Sequence, residues 1–318
     1  MRWTEDLTDF AYFSGLLPGA HPAFFGALSR ACDELAIPWA LLGGTRDIWC
    51  RDYMPIQTGR HDFTVYPYDP SYLKNRRGSK TRTAFADVEI ERGVWRAEAA
   101  FKRTPVVLDG GNVVLTPRHL LLADSVLTEN ERAPRRGELG DGAGVPVRRR
   151  KAAGLSPKAR AELLSALEEG FGAPAILLPR LPGDPFGHAD GMVRFFKDRQ
   201  LFVNEWMGAW GSFNHDLRTR IIAGERLLEE DGYELLGAPY VDRPLCLYLN
   251  YLRVGNKLVV PTFGHRLDDQ ALGFFREHFG RENVRGVDSR EVAQHGGVLN
   301  CLSWTISVSR PVFGPPIL

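Results

Sequence analysis

The sequence Phe186-Gly187-His188-Ala189-Asp190-Gly191 places a histidine and an aspartate two residues apart in a turn punctuated by glycines. The strand-like run Met192-Val193-Arg194-Phe195-Phe196 follows directly and predicts a strand. Because side chains two residues apart on an extended segment point to the same side, His188 and Asp190 are expected to face one space. A histidine that moves protons beside a carboxylate that holds a cation suits acid–base chemistry on a positively charged substrate. By itself, a His-x-Asp pair is more often a hydrogen-bonded turn than a site.

The overall composition is that of a soluble globular protein. The chain has 318 residues, of which 44% are hydrophobic and 25% charged, enough for a sizeable core in one large domain or two. With 40 basic and 39 acidic residues, the chain has a net charge of only +1. Its overall charge therefore does not attract nucleic acid or a membrane surface. No apolar window approaches the length of a membrane span, and the acidic residues Glu5, Asp6 and Asp9 are unlike the basic start of a secretory signal. We therefore expect a cytoplasmic protein.

The four cysteines, Cys32, Cys50, Cys246 and Cys301, lie far apart and form no Cys-x-x-Cys pair. This spacing predicts neither a disulfide framework nor a zinc ribbon, so each cysteine is expected to be a thiol. Cys32 lies on the apolar face of a predicted helix and Cys246 in a predicted strand, and both are expected in the core.

Short apolar runs alternate with helical patterns along the chain, which indicates an α/β fold. Helices are predicted at residues 22–36, from Pro157 behind the N-cap Ser156, at residues 216–230, and behind the N-cap Asp268. Strands are predicted at residues 39–42, 175–178 and 201–204.

Two glycine-containing turns between apolar runs predict hairpins. One is Asp109-Gly110-Gly111-Asn112, which follows residues 106–108, and the other is Val254-Gly255-Asn256. Two segments rich in basic residues, 74–82 and 128–153, are predicted as loops, and the second is the expected place for an insertion or a lid.

Five segments of the chain share one form, a polar or glycine-rich turn that leads into an apolar strand. Their centres are Asp52, Asp109, Asp190, Asn250 and Cys301. Successive centres lie 51 to 81 residues apart with a helix between most pairs, which indicates five variants of one α/β unit in a radial or stacked array. Considered alone, the segment around Asp52 would be a surface turn with an ion pair between Arg51 and Asp52. Asp109 alone would be a residue of a hairpin turn. If the five turns converge on one axis, three aspartates, a histidine and a cysteine meet in a central pocket.

Four ordered motifs closely resemble those of agmatine deiminases and bacterial peptidylarginine deiminases, within the guanidino-group-modifying superfamily. They are Asp47-x-Trp49-x-Arg51-Asp52-x-x-Pro55, Asp109-Gly110-Gly111-Asn112, Gly187-His188-x-Asp190 and Gly296-Gly297-x-x-x-Cys301. The resemblance covers nearly the whole chain. It implies a five-bladed α/β propeller of ββαβ units around a pseudo-fivefold axis, with residues 1–318 forming a single catalytic domain.

The resemblance also implies an activity, the hydrolysis of a guanidinium group to a ureido group and ammonia without a metal or a cofactor. The expected partner is a small-molecule or peptide guanidinium, with no nucleic acid and no membrane. Agmatine, free arginine and peptidyl-arginine stay open as substrates. If the substrate is agmatine, the protein would act in polyamine metabolism, in the biosynthesis of putrescine. An arginine substrate would give citrulline. A homodimer also stays open.

Site roles follow from the same resemblance. Cys301 matches the nucleophile that forms a covalent thiouronium intermediate, and thiolate is the best nucleophile among side chains. His188 would protonate the departing ammonia and then activate water. Asp52 and Asp190 match the carboxylate pair that binds the planar, forked guanidinium. Asp109, where the family usually has glutamate, would orient His188 or accept a further guanidinium hydrogen bond. Further substrate contacts are expected from Trp49, Arg51 and Asn112.

Three departures from the family pattern bear mainly on substrate identity. The segment before Phe10 lacks the Trp-Pro opening common in agmatine deiminases, Met54 stands where they often have glycine, and Asn300 where they commonly have histidine. Basic residues that could bind a substrate carboxylate are most simply solvated charges. They are Arg46, Arg76, Arg77 and the run at residues 148–151.

Three other functions compete with a deiminase. An amidinotransferase would pass the amidino group to an amine, and ammonia release without an added amine separates the two. A non-catalytic arginine-binding propeller is disfavoured because cysteine, histidine and all three carboxylates are present. A metallohydrolase that uses His188, Asp190 and Cys301 is the least favoured, since this set lacks a second histidine.

Overall fold

The strands of the protein form five sheets of three strands each. The computed structural model describes residues 3–73, 82–90, 99–132, 154–181, 184, 186–241 and 247–308. Within these ranges the strand orders are β15-β1-β2, β3-β4-β5, β6-β7-β8, β11-β10-β9 and β12-β13-β14. Helices alternate with the strands, so the predicted α/β class is confirmed.

The strands, in chain order, are β1 (Phe10–Ser14), β2 (Trp39–Leu42), β3 (Ile56–Gln57), β4 (Asp62–Val65), β5 (Ala100–Arg103), β6 (Val114–Leu115), β7 (Leu120–Ala123), β8 (Ala175–Leu178), β9 (Val193–Lys197), β10 (Gln200–Asn204), β11 (Glu234–Ala238), β12 (Leu252–Val254), β13 (Lys257–Thr262), β14 (Val284–Asp288) and β15 (Ser303–Ile306). The α-helices are α1 (Leu17–Ala20), α2 (Pro22–Glu34), α3 (Cys50–Tyr53), α4 (Ser125–Arg132), α5 (Pro157–Phe171), α6 (His215–Glu230), α7 (Asp268–Phe279) and α8 (Arg290–Ala293). Short 3-10 turns lie at Glu5–Leu7, Ser71–Leu73, Phe85–Asp87, Gly110–Asn112, Ala189–Gly191, Met207–Ser212 and Arg281–Asn283.

All five sheets follow the same plan. The middle strand pairs antiparallel with one neighbour and parallel with the other, as β13 does with β12 and β14. A parallel partner needs a crossover connection, which α2, α5, α6 and α7 supply in four of the sheets. In the first sheet β1 pairs antiparallel with β15 and parallel with β2, so strands from the two ends of the chain share one sheet.

Local signals account for both ends of helix α5. Helix α5 begins where predicted, because Ser156 Oγ accepts a hydrogen bond from the Ala159 N–H at 3.2 Å and Pro157 takes the first helical position. It ends at Gly172, whose φ of +66° is the left-handed conformation typical of a helix end. The predicted cap of α7 is wrong by one position. Asp268 is the first helical residue, and its carboxylate instead accepts N–H bonds from the preceding turn, at Phe263 and His265.

The hairpin predicted around Asp109 is wrong, whereas that around Gly255 is confirmed by the antiparallel pairing of β12 with β13. Residues 106–108 form no strand, and β6 pairs with β7 beyond it. The glycines serve close packing instead, since a Cβ atom at Gly110 would overlap the carbonyl oxygen of Arg51.

The loop prediction for residues 128–153 is wrong at its start, where helix α4 runs on to Arg132, and residues 133–153 lie outside the described ranges. Most of the predicted loop at 74–82 also lies outside them. Cys32 is buried on α2 as predicted, and Cys246 falls in an undescribed range. None of the helices in the described ranges is both long and apolar enough to cross a membrane.

An ion pair between Arg194 and Glu5 is buried beneath the turn that carries Asp190. The Arg194 side chain is 1% exposed, and its Nη2 contacts both Glu5 oxygens, at 2.7 and 2.8 Å. Arg194 Nη1 donates to the carbonyls of Leu249 and Tyr251. Burial opposes ionisation of Glu5, but the Arg194 guanidinium outweighs it and holds the pKa of Glu5 below its ordinary value.

We predict that Glu5→Ala destabilises the protein strongly, because it leaves the Arg194 charge buried without a partner. The expected loss in free energy of unfolding is about 3 kcal/mol, the lower end for a broken buried pair, since Glu5 is partly exposed. Urea denaturation measures it, with the exposed neighbour Asp6→Ala as the matched control. Equal stabilities of the two variants would contradict the prediction.

Candidate active site

Each candidate residue lies in the turn that leads into the first strand of a ββ pair. Asp52 lies in α3 before β3, Asp109 before β6, His188 and Asp190 before β9, Asn250 before β12, and Cys301 before β15. This is the repeated turn-then-strand form predicted from the sequence. Two local predictions are wrong. The segment around Asp52 is a helical turn and not a loop, and Ala189–Gly191 forms a 3-10 turn, so His188 and Asp190 are not on an extended segment.

A closed circuit of hydrogen bonds joins the five turns. The N–H of Gly111 donates to Asp52 Oδ1 at 3.0 Å, and the N–H of Ala189 donates to Asn112 Oδ1 at 3.1 Å. Asn250 Nδ2 donates to Asp190 Oδ2 at 3.3 Å, and the N–H of Asn300 donates to the Asn250 carbonyl at 3.0 Å. The N–H of Arg51 donates to the Cys301 carbonyl at 3.1 Å and completes the circuit. The turns therefore hold one another in register.

His188 lies between two carboxyl groups. Its Nε2 is 2.9 Å from Asp109 Oδ2, and its Nδ1 is 3.9 Å from Asp52 Oδ1. Burial disfavours the imidazolium, but the charges of Asp52 and Asp109 outweigh burial and raise the pKa of His188 to about 10. His188 is therefore protonated at neutral pH. Gly111 packs against the imidazole ring, and a Cβ atom there would lie 2.6 Å from Nδ1.

The carboxyl groups of Asp52 and Asp190 are difficult to ionise without a cation. Asp52 is 6% and Asp190 3% exposed. Burial raises the pKa of Asp52 to about 7; the charge of His188 opposes this rise, and the nearby negative charges of Asp109 and Asp190 add to it. Burial likewise raises the pKa of Asp190, although His188 and Arg194 oppose it. The site thus carries more acidic groups than it has positive charge to balance.

Cys301 is held at two points by Asn250. Asn250 Nδ2 donates to Cys301 Sγ at 3.2 Å, and Asn250 Oδ1 accepts the Cys301 N–H at 3.3 Å. Burial raises the pKa of the Cys301 thiol well above its ordinary value, and the charges of Asp190 and Asp52 raise it further. These effects favour the thiol form of Cys301. A bound cation would favour the thiolate.

The three further residues predicted to contact substrate lie in different places. The ring of Trp49 borders the nucleophile, since a Cβ atom at Gly297 would lie 2.8 Å from Trp49 and 2.9 Å from Cys301 Cβ. Arg51 turns away, with Nη2 bound to Thr305 Oγ1 at 3.2 Å. Asn112 uses its amide within the fold, because Nδ2 donates to the Ala123 carbonyl and Ser125 Oγ while Oδ1 accepts two N–H groups.

Several residues at the site had no predicted role. Asn250 was one of the five turn centres, and Asn300, a departure from the family pattern, donates to Asp190 Oδ2 at 2.6 Å. Tyr72 packs its ring edge on Phe186, with centroids 5.1 Å apart, and lies 6.4 Å from the His188 ring. The only sequence signal for Tyr72 was the cluster of aromatic residues at 66–72.

The basic residues considered for a substrate carboxylate are not brought to this site. Arg46 pairs with Asp87 at 3.1 Å on the surface, and Arg76, Arg77 and residues 148–151 lie outside the described ranges. Within those ranges, no group of three His, Cys, Asp or Glu side chains is arranged to hold a metal ion.

Comparison with known proteins points to deiminases. Residues 157–306 match the family model of Porphyromonas-type peptidyl-arginine deiminase. The resemblance predicted from the motifs is confirmed. A protein of Marinomonas sp. (strain MWYL1) that carries the provisional name of agmatine deiminase is 34% identical over 62 residues. That stretch spans 20% of this chain and 17% of the Marinomonas protein.

Solved structures share the fold over almost the whole chain. The agmatine deiminase of C. jejuni has a TM-score of 0.64 at 16% identity, covering 96% of this chain and 95% of that chain. The agmatine deiminase of Enterococcus faecalis has a TM-score of 0.63 at 13% identity, with the same coverage. A DDAH variant from Pseudomonas aeruginosa, solved with citrulline, has a TM-score of 0.51 at 10% identity, covering 94% and 99%. Identities this low show a common fold alone.

We predict that Asp109→Asn lowers the pKa of His188 by at least about one unit, because the variant loses the charge that accepts the Nε2 proton. Imidazole NMR titration measures this, with the surface variant Asp87→Asn as the control. Because the pKa of His188 in the folded protein exceeds its ordinary 6.5, its contribution to stability is complete below pH 6.5 and lost as the pH rises through about 10. In Asp109→Asn this contribution should be smaller, and its loss should be complete at a lower pH. An unchanged His188 titration would contradict the prediction.

Proposed function

We propose that this protein is a hydrolytic deiminase that converts the guanidinium of agmatine or of an arginine derivative to a ureido group and ammonia. One observation carries the proposal, namely that three buried carboxyl groups act on the single imidazolium of His188 and that Cys301 lies close to two of them, Asp190 and Asp52. A guanidinium supplies the missing positive charge. Its forked N–H groups also match carboxylates in pairs.

The first half of the reaction would begin with substrate between Asp52 and Asp190. The bound cation opposes the effect of burial, so both carboxyl groups and Cys301 ionise more readily. The thiolate attacks the central guanidinium carbon and forms a C–S bond. Protonated His188 then gives its proton to the departing nitrogen as the C–N bond breaks, which releases ammonia and leaves an amidino group on Cys301.

The second half would use the neutral histidine left by the first. His188 takes a proton from water, and the resulting hydroxide attacks the amidino carbon. The hydroxyl group of this adduct loses its proton to solvent as the C–S bond breaks, Cys301 leaves as thiolate, and the ureido product departs. Asp109, bound to Nε2, holds the imidazole in orientation through both protonation states.

We propose further that the five sheets are the blades of a five-bladed propeller, and that residues 1–318 form one catalytic domain. The shared sheet plan, the circuit of hydrogen bonds and the pairing of β1 with β15 support this arrangement. From the sequence we also propose a cytoplasmic location and a homodimer. Sedimentation of the purified protein would test the homodimer.

The direct test of function is a colorimetric ureido assay against agmatine, arginine and an arginine peptide. We expect product and equimolar ammonia from at least one substrate, without an added amine and unaffected by chelators. In Cys301→Ser, turnover should fall by at least about 1000-fold while the substrate still binds, because a serine hydroxyl is far less acidic.

The control variant is Cys32→Ala, which removes a thiol from the helix core and should keep normal turnover. Amidino transfer that needs an added amine would indicate the amidinotransferase instead. Substrate binding with no product from any of the three compounds would leave only the binding function. Activity that disappears with chelator and returns with zinc would refute the mechanism.

A separate prediction concerns guanidinium recognition. Asp52→Asn keeps the shape of the side chain but removes one negative charge, so agmatine or its equivalent should bind about 3 kcal/mol more weakly. Calorimetry in the Cys301→Ser background measures affinity without turnover, and Asp216→Asn on the exposed face of α6 is the charge-matched control. Equal affinities in the two variants would remove Asp52 from the site.

A further inference from the structure

Asn300 makes the shortest hydrogen bond to Asp190. Its side chain lies in the turn before Cys301 and is 2% exposed. Asn300 Nδ2 donates to Asp190 Oδ2 at 2.6 Å, and Asn250 Nδ2 approaches the same oxygen at 3.3 Å. Two amide donors on one oxygen fix the rotation of the carboxyl group.

The other end of the Asn300 amide has no partner. Asn300 Oδ1 is a buried oxygen that accepts no hydrogen bond within the described ranges. A buried unsatisfied acceptor costs about 1–3 kcal/mol, so the bond to Asp190 must determine the orientation of the amide. The reversed amide would bring its oxygen against the carboxylate.

The backbone of Asn300 is anchored independently of its side chain. Its N–H donates to the Asn250 carbonyl at 3.0 Å. Its carbonyl accepts from Ser303 Oγ at 3.1 Å and from Arg51 Nε at 3.4 Å. Substitution of the side chain should therefore leave the turn in place.

We infer that Asn300 is a positioning residue that favours the ionised form of Asp190 and orients this carboxylate towards a guanidinium. The substrate part of this inference rests on the proposed deiminase function. An amide N–H does not titrate, so it supports the carboxylate at every pH. The titratable and charged groups that act on Asp190 are His188, Arg194, Arg51, Asp52 and Cys301. Burial raises the pKa of Asp190, and the bond from Asn300 is among the interactions that oppose it.

The test follows the protonation of Asp190 directly, by NMR titration of aspartate carboxyl carbons in the full chain. Asn300→Ala should raise the pKa of Asp190 by about one unit, and Asn300→Asp should raise it more because it adds a second carboxyl group. The matched control is Asn204→Ala. The amide of Asn204 supports the same turn by donating to the Gly191 carbonyl at 2.9 Å.

An Asp190 titration that is unchanged in both Asn300 variants, or that shifts equally in Asn204→Ala, would overturn the inference. Calorimetry with agmatine in the Cys301→Ser background then tests the substrate part. The pH below which affinity falls should move upward in Asn300→Ala by the same amount as the Asp190 titration. If the Asp190 pKa shifts but the Cys301→Ser protein binds no guanidinium compound at any pH, the proposed function fails, whereas the effect of Asn300 on Asp190 is upheld.

Discussion

The excess of buried acidic groups over positive charge at the site is the constraint on which the rest of the structure depends. Asp52, Asp190 and Cys301 all have raised pKa values because burial removes them from water, and His188 is the cation between Asp52 and Asp109. A planar cation bound between these groups would stabilise them. An added positive charge lowers the pKa of every acidic neighbour, so binding of the cation would also activate the nucleophile.

A site of this kind needs a rigid frame, and the fold provides it through repetition. Each of the five sheets begins with a turn that presents at least one side chain of the site, and hydrogen bonds between successive turns prevent the carboxyl groups from moving apart. Beneath the turns, Arg194 supports Asp190 electrostatically while being neutralised by Glu5. Glycines at Gly110, Gly111 and Gly297 allow backbone to approach where any side chain would collide.

The sequence predicted the α/β class, the four longest helices, several strands and the five turns that lie together, because each motif carries its own chemistry. The predictions from sequence were wrong where contacts between distant segments determine the local structure. The turn at Asp109 has the sequence of a hairpin turn. The packing of Gly110 on Arg51 distinguishes it from a hairpin, and that contact joins distant segments. His188 and Asp190 share a site although the extended geometry expected of them is absent. Asn250 and Asn300 received no role, since their partners lie 60 and 110 residues away and no local pattern indicates such contacts.

The most direct test of this account is rapid-quench mass spectrometry of the protein during turnover, with peptide mapping of all four cysteines. The account predicts an amidino adduct on Cys301 alone, formed within one turnover and lost as ureido product appears. In His188→Ala the adduct should persist, if it forms, because no group remains to activate water. Product formation in the wild-type protein with no adduct on Cys301 at any time, or with an adduct on another cysteine, would contradict the central claim that a buried thiol is activated by the cation it attacks.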